Sequence, residues 1–163
     1  MGAALRKLFR WTAFIHLDNQ ILIDRGLLNR KGAPDTFDAR GFVNLVSRLH
    51  DEDEVFFPMF DRSRDIAIAG GGLVDRTCEA VILEGNYLLL EAPDWQELHA
   101  HWDISVVLNV PDHILEQRLM ERWLKHGLTP EQAKTRAREN DLLNASIVTG
   151  SSAQADLVYL GPD

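Results

Sequence analysis

The chain has 163 residues with 17 basic and 25 acidic side chains, a formal charge of −8, and 45% of its residues are hydrophobic. This composition predicts one globular domain and argues against disorder and against a protein that binds nucleic acid. No stretch reaches the roughly 18 apolar residues of a membrane span. The single cysteine, Cys78, excludes an internal disulfide framework, and residues 1–14 lack the apolar core of a signal peptide. We therefore expect a cytoplasmic protein.

The first third of the chain predicts one helix and one short strand. Residues 17–38 contain several glycine and proline breakers and predict an irregular excursion. Asp38 can cap a helix that continues to about Leu49, because apolar residues then recur at helical spacing. A strand at 55–57 is predicted to stop at Pro58.

Three consecutive glycines, Gly70 to Gly72, interrupt a second extended segment at 66–74. A phosphate-binding loop would require the pattern Gly-x-x-x-x-Gly-Lys-[Ser/Thr]. The residues that directly follow these glycines, 73–77, contain no Lys. We interpret the triple glycine as a flexible turn.

The apolar run at 80–83 predicts a strand buried on both faces of a parallel sheet. Glu84 ends this run, at the edge where open α/β sheets bind ligands, and Gly85 permits a sharp turn. From this stretch alone, a core strand that simply ends in a polar loop is an equally good interpretation.

The rest of the chain alternates helices and strands, which predicts a parallel α/β sheet. In chain order the predicted elements are a helix at 93–99, a strand at 103–110, a helix from Pro111 to His126 that Gly127 ends, a helix beginning at Thr129, and a strand at 155–160.

Several motifs along residues 16–160 resemble the uridine kinase, phosphoribulokinase and pantothenate kinase group of P-loop kinases, in particular its bacterial fructokinase-like branch. These motifs are His-Leu-Asp-Asn at 16–19, Arg-Lys-Gly-Ala-Pro-Asp-Thr-Phe-Asp at 30–38, Phe-Asp-Arg-Ser-Arg at 60–64, Val-Ile-Leu-Glu-Gly-Asn-Tyr-Leu-Leu-Leu at 81–90 and Glu-Arg-Trp-Leu-Lys-His-Gly at 121–127. The resemblance implies a three-layer α/β fold with a parallel sheet in the order 2-3-1-4-5 and a helical lid at about 112–145. It also implies that the chain lacks the central strand, number 1, which carries the P-loop.

The resemblance further implies ATP-dependent phosphorylation of a hydroxyl on a small metabolite such as a sugar, a nucleoside or a pantothenate-like alcohol. ATP and Mg²⁺ are the implied cofactors, and Glu84 is the implied Mg²⁺ ligand, directly or through water. No nucleic-acid or membrane partner is implied, and a homodimer stays open.

Besides Glu84, the implied site residues fall into three sets. Arg118 and Arg122 meet the charge on the transferred group, although a solvated helix face explains Arg118 equally well; spacings of four place both on one face with His126. The nucleotide set is Arg122, Lys125, His126 and Arg136, and the acceptor set is Asp61, Arg62, Arg64, Phe37, Asp38 and Tyr87.

The chain contains no Gly-x-x-x-x-Gly-Lys-[Ser/Thr] sequence, and it lacks the catalytic Asp that the family carries in Pro-Met-Asp-Gly-Phe-His. Residues 11–16 read Trp-Thr-Ala-Phe-Ile-His instead. In the frame displaced by two bases, the junction of the Trp11 and Thr12 codons must encode Asp, and that of Phe14 and Ile15 must encode His or Tyr. One hypothesis is therefore a frameshifted, truncated gene whose frame resumes at His16; the alternative is a chance match in a divergent N-terminus.

Two expectations follow from this hypothesis. Residues 1–15 form an aberrant segment before a kinase-like domain at 16–163, with edge pairing near 13–17 instead of a rebuilt central strand. The chain as written has no measurable kinase activity, and the alternative function is that of a non-catalytic remnant or small-molecule-binding module.

Overall fold

The computed structural model describes residues 8–12, 17–61, 64 and 66–161. Within them lie the strands β1 (Leu8–Thr12), β2 (Glu54–Asp61), β3 (Ile66–Asp75), β4 (Ala80–Glu84), β5 (Val106–Asn109) and β6 (Leu157–Leu160). The α-helices are α1 (Asn19–Asp24), α2 (Ala39–Asp51), α3 (Asp112–Lys125), α4 (Pro130–Arg136) and α5 (Leu142–Ser151). Short 3₁₀ helices occupy Leu28–Arg30, Pro34–Thr36 and Trp95–His101, and a π-helical turn, Ala137–Asp141, joins α4 to α5.

The strands form two parallel pairs, β1 with β4 and β5 with β6, and one antiparallel pair, β2 with β3. The predicted α/β fold with parallel strands is confirmed. The expectation of parallel pairing throughout is wrong for β2 and β3, because only four residues separate them and a parallel crossover needs a dozen or more.

The N-terminal strand pairs earlier in the sequence than predicted. β1 runs alongside β4 with Leu8 opposite Ala80 and Thr12 opposite Glu84, whereas the predicted pairing near 13–17 falls largely on residues 13–16, outside the described residues. In the described part of the chain, no strand joins β4 to β5, so each has one neighbour.

β2 continues through Pro58, where the sequence predicts its end. The register against β3 shifts between Phe57 and Met59, which places the proline at a β-bulge. Proline has no N–H to donate to a ladder, and a bulge is one of the places where a strand tolerates it.

The triple glycine lies inside β3 and is not a turn. A Cβ on Gly72 would stand 2.1 Å from the Phe57 ring, and one on Gly71 would stand 3.0 Å from Met59 Cβ. Glycine is required there because the buried Phe57 ring of the neighbouring strand occupies the space that a side chain would need.

The core lies beneath α2. Asp38 accepts a hydrogen bond from the Gly41 N–H and begins the helix as predicted. The apolar face of α2 contributes Phe42, Leu45 and Val46 to a cluster with β2, the 87–90 turn and the 3₁₀ helix at 95–101. The other buried members include Val55, Phe57, Tyr87, Leu90, Trp95 and Leu98.

Local signals also set the helices of the second half. Thr129 and Gln132 form a reciprocal capping box at the start of α4, and Gly127 takes a φ of +86° after α3. The helix predicted at 93–99 is a 3₁₀ helix two residues later, and the excursion predicted at 17–38 contains α1. None of the helices in the described ranges has the length and apolar character to cross a membrane.

Candidate functional site

A cavity of about 970 Å³ opens where the carboxyl ends of β4 and β5 meet α3, α5 and the 31–37 segment. Asn86 and Asn109, which follow or end the two strands, contribute amide groups, while Arg122 and Arg136 contribute cations. The volume lies within the range of small-molecule sites. The cavity therefore combines an apolar wall with polar groups that converge from several elements.

A basic surface adjoins the cavity at the end of α3. Arg118, Arg122, Lys125 and His126 line a depression of about 370 Å³ together with one carboxylate, Glu121, so four of the predicted phosphate-binding side chains lie together. Within the described residues, no carboxylate forms an ion pair with Arg118, Arg122 or Lys125. The cations of the depression outnumber its single carboxylate, Glu121, so they repel one another, and a bound anion would relieve that repulsion.

Trp123 lies between the two cavity arginines. The guanidinium carbon of Arg122 is 5.4 Å from the ring centroid, and that of Arg136 is 5.3 Å away. Both distances are within the range of cation–π interactions. The indole Nε1–H donates to Asp141 Oδ2 over 2.5 Å, and Asp141 belongs to the π-helical turn.

Arg136 makes contacts that differ from its predicted role with the nucleotide. Its Nη1 donates to the Asn29 carbonyl at 2.9 Å, and its Nη2 donates to the Lys31 carbonyl at 3.2 Å. These bonds join α4 to the 28–33 segment. Arg136 therefore has hydrogen-bond partners in the cavity wall, whereas the contact of Arg122 within the described part of the chain is with the Trp123 ring.

Tyr87, predicted as an acceptor-binding residue, is buried behind the cavity. Its hydroxyl donates a hydrogen bond of 2.6 Å to the Gly32 carbonyl, and its ring meets Phe37 and Trp95. Burial, with the negative charges of Asp35 and Asp141, raises the pKa of Tyr87 to about 12. The phenol is thus a neutral donor that fixes the 31–37 segment against the core.

Glu84 ends β4 with an exposed carboxylate that has no hydrogen-bond or ion-pair partner in the described part of the chain. The cavity wall includes Asn86, two residues further on, and not Glu84 itself. A free carboxylate at a strand end suits Mg²⁺, which takes one or two carboxylates and fills its remaining positions with water and phosphate oxygens.

The other predicted acceptor residues are distributed over two places. Phe37 lines the cavity, whereas the Asp38 carboxylate caps α2. At the end of β2, Asp61 accepts a hydrogen bond from Arg64 Nε at 2.7 Å, and neither residue lines the cavity. Arg62 lies outside the described residues.

Sequence reasoning missed several polar cavity residues, namely Lys31, Asn86, Asn109 and Asn144, together with Trp123. Asn86 and Asn109 carried a usable signal, because each follows or ends a predicted strand at the ligand-binding edge of a sheet. Nothing local marks Asn144, whose position depends on how α5 packs.

The chain is similar to known proteins in sequence and in fold. A crystal structure of a candidate fructose transport system kinase from Silicibacter sp. TM1040 is 48% identical, with a TM-score of 0.86 over 94% of this chain and 74% of that one. A candidate uridine kinase of Schizosaccharomyces pombe is 33% identical over 132 residues, which are 78% of this chain. The chain belongs to the uridine kinase–pantothenate kinase group of P-loop kinases.

A more distant solved structure shares the fold. The Saccharomyces cerevisiae protein YFH7, a candidate P-loop kinase with a circular permutation, superposes with a TM-score of 0.82 at 20% identity, over 96% of this chain and 58% of YFH7. No protein-family model matches the sequence. The chain spans about half the length of the curated relatives it matches, 53% and 56% for two of them.

Proposed function

We propose that this P-loop kinase homologue binds the phosphates of ATP at the basic end of α3 and a small hydroxylated metabolite in the adjoining cavity. The family's chemistry is phosphoryl transfer, which depends on positioning and on cations that meet charge on the transferred group. The observation that carries the proposal is an excess of cations over carboxylates, Arg118, Arg122 and Lys125 against Glu121, beside a 970 Å³ cavity in a protein of net charge −8.

Within this proposal, Arg122 and Arg118 contact the transferred phosphate, and Lys125 and His126 contact the rest of the nucleotide. Glu84 would hold Mg²⁺, which would supply positive charge to offset that of the phosphates. Phe37, Lys31 and Asn144 offer one apolar and two polar groups to an acceptor alcohol. The sequence contains a single cysteine, Cys78, which cannot form an internal disulfide and is in keeping with a reducing cytoplasm.

Calorimetric titration with inorganic tripolyphosphate tests the cation site directly. Arg122→Gln should weaken binding by about 10- to 100-fold, because a charge-assisted hydrogen bond contributes about 1.5–3 kcal/mol. Arg25→Gln, which makes the same change in charge on an exposed side chain away from the cavity, is the matched control. Equal affinities for the two variants would contradict the site.

A second candidate function is that of a binding module without catalysis, and it is favoured by the lack of a Gly-x-x-x-x-Gly-Lys-[Ser/Thr] sequence in these 163 residues. We expect the 163-residue chain to release no measurable ADP from ATP with fructose, uridine or pantothenate. Addition of an upstream strand with that loop and a catalytic Asp should restore turnover, and Glu84→Gln should then abolish it. Binding without turnover in the extended protein would favour the module.

A further inference from the structure

We propose that Trp123 is a positioning residue that holds the Arg122 guanidinium against the cavity wall, and this inference rests on the proposed phosphate-binding function. The indole lies in contact with Arg122 and with Arg136, 5.4 and 5.3 Å from ring centroid to guanidinium carbon. Arg136 is anchored by the carbonyls of Asn29 and Lys31, but Arg122 has no such anchor among the described residues. The ring is therefore the group that restricts Arg122.

The Trp123 ring is itself held by the π-helical turn. Its Nε1–H donates to Asp141, and the second oxygen of that carboxylate accepts a 3.0 Å hydrogen bond from Asn140. Both residues lie in the π-helical turn Ala137–Asp141, a wider turn than an α-helix makes and one that often marks functional sites. The chain of contacts runs from the turn through the carboxylate and the indole to the guanidinium.

Such positioning has a physical benefit for anion binding. An arginine side chain loses rotamer freedom when it closes on a ligand, and a guanidinium already held over an aromatic face loses less. The ring face attracts the cation without neutralising it, since a quadrupole is not a counter-charge. The Arg122 donors thus remain available to a phosphate, whereas an ion pair with a carboxylate would occupy them.

Four variants of the full chain, two at Trp123, Arg122→Leu alone and one double variant, test the inference by tripolyphosphate titration. Trp123→Leu should weaken binding by about 5- to 30-fold, because it removes the face that both guanidinium groups contact. Trp123→Phe retains an aromatic face and should restore affinity to within about threefold of the original. Arg122→Leu in the Trp123→Leu background should cost less than Arg122→Leu alone, because the positioning has already been lost.

A ligand-free measurement separates this inference from the proposed function. The Arg122 Nε–H in ¹H–¹⁵N spectra, and the Arg122 δ protons in ¹H–¹³C spectra, should show an upfield ring-current shift that Trp123→Leu removes and Trp123→Phe retains. If the shift is present but the protein does not bind tripolyphosphate, the positioning stands and the proposed function fails. Absence of the shift, or equal binding by the original protein and a folded Trp123→Leu variant, would overturn the inference.

Discussion

The two apolar regions of this protein differ in what lies over them. Beneath α2, the side chains of β2, the 87–90 turn and the 95–101 helix form a closed cluster in which Leu98 has no exposed surface. In the β5–β6 pair, the equally apolar Leu160 is 70% exposed and Leu108 is 69% exposed. Composition is alike in both regions, so the difference lies in whether a helix packs on the strands.

This contrast shows where the stability of the described structure resides. Burial of apolar surface stabilises the folded state by about 25 cal/mol per Å². The β5–β6 pair buries little apolar surface, so it contributes little of this free energy. Two-stranded sheets are marginal without a covering element, and parallel sheets in particular are normally covered on both faces. We therefore expect the core beneath α2 to set the free energy of unfolding.

The same substitution at Leu98 and at Leu160 gives the largest expected difference. Leu98→Ala should lower the free energy of unfolding by about 2–5 kcal/mol, because it removes buried methyl groups and leaves a cavity. Leu160→Ala should change it by no more than about 0.5 kcal/mol. Urea denaturation of both variants measures the difference. A large loss for Leu160→Ala would mean that β6 is covered in solution, for example by a second copy of the chain.

Features that depend on neighbours in sequence were the ones that the sequence predicted. The Asp38 cap and the Thr129 start signal need only the residues of their own first turn, so their patterns sufficed. The triple glycine needed knowledge of Phe57 on another strand, and the continuation of β2 through Pro58 needed the bulge against β3. Such long-range contacts leave no local periodicity to detect.

The candidate site likewise has features that the sequence predicts and features that it does not. Helical spacing alone predicts that Arg118, Arg122 and His126 share one face, and these three side chains do line one depression. The partners of Arg122 could not be predicted, because Trp123 contacts Asp141 across 18 residues through the π-helical turn. From the sequence, Trp123 in a helix predicts packing against the core. Its contacts with Arg122 and Arg136 become visible only when α3, α4 and the π-helical turn are packed together.

Alkaline pH offers a second way to examine the core region. The pKa of Tyr87 is raised to about 12 by burial first and by nearby carboxylates second, whereas an unfolded tyrosine ionises near 10. Between these values the unfolded chain releases a proton that the folded chain keeps, so stability is retained below about pH 10 and falls at higher pH. The expected slope from this group is about 1.4 kcal/mol per pH unit.

Tyr87→Phe isolates that contribution. The variant loses the hydrogen bond to Gly32, at a cost of about 1–2 kcal/mol at neutral pH, but its stability should fall less steeply between pH 10 and 12. Other groups titrate equally in both proteins, so the difference between the two urea-derived curves reports Tyr87 alone. Parallel curves would show that the phenol ionises without penalty and that its hydrogen bond opens in solution.

The exposed apolar surface of the β5–β6 pair predicts self-association of the chain. Uncovered apolar strands are sites where a second chain can add or pack, and a charge on such a surface opposes this. Val158→Lys should lower both the sedimentation-detected association and the binding of a hydrophobic dye, with at most about 0.5 kcal/mol of change in stability. Gln154→Lys, an exposed change of equal charge just before β6, is the control. Equal association of both variants would place the contact elsewhere.

The smallest expected effect concerns the start of the β5–β6 pair. Both the Ser105 hydroxyl and the Ser105 backbone N–H donate to Asp156 Oδ2, at 2.6 and 2.7 Å. These bonds lower the pKa of Asp156, so the folded state holds the charged form more firmly than the unfolded state does. The stability they contribute is present above the unfolded pKa near 4 and is lost as the pH falls through the lower folded value.

Because Asp156 is fully exposed to solvent, the loss in Asp156→Asn should be small and should appear only above about pH 4, where the carboxylate is charged. Below the folded pKa, the original protein and the variant should converge. Amide hydrogen exchange of the β5–β6 pair between pH 3 and 6, compared with that of α2, measures this locally. A variant that destabilised α2 as much as β6 would show that the core beneath α2 and the β5–β6 pair unfold as one unit. The two regions would then differ in packing but not in stability.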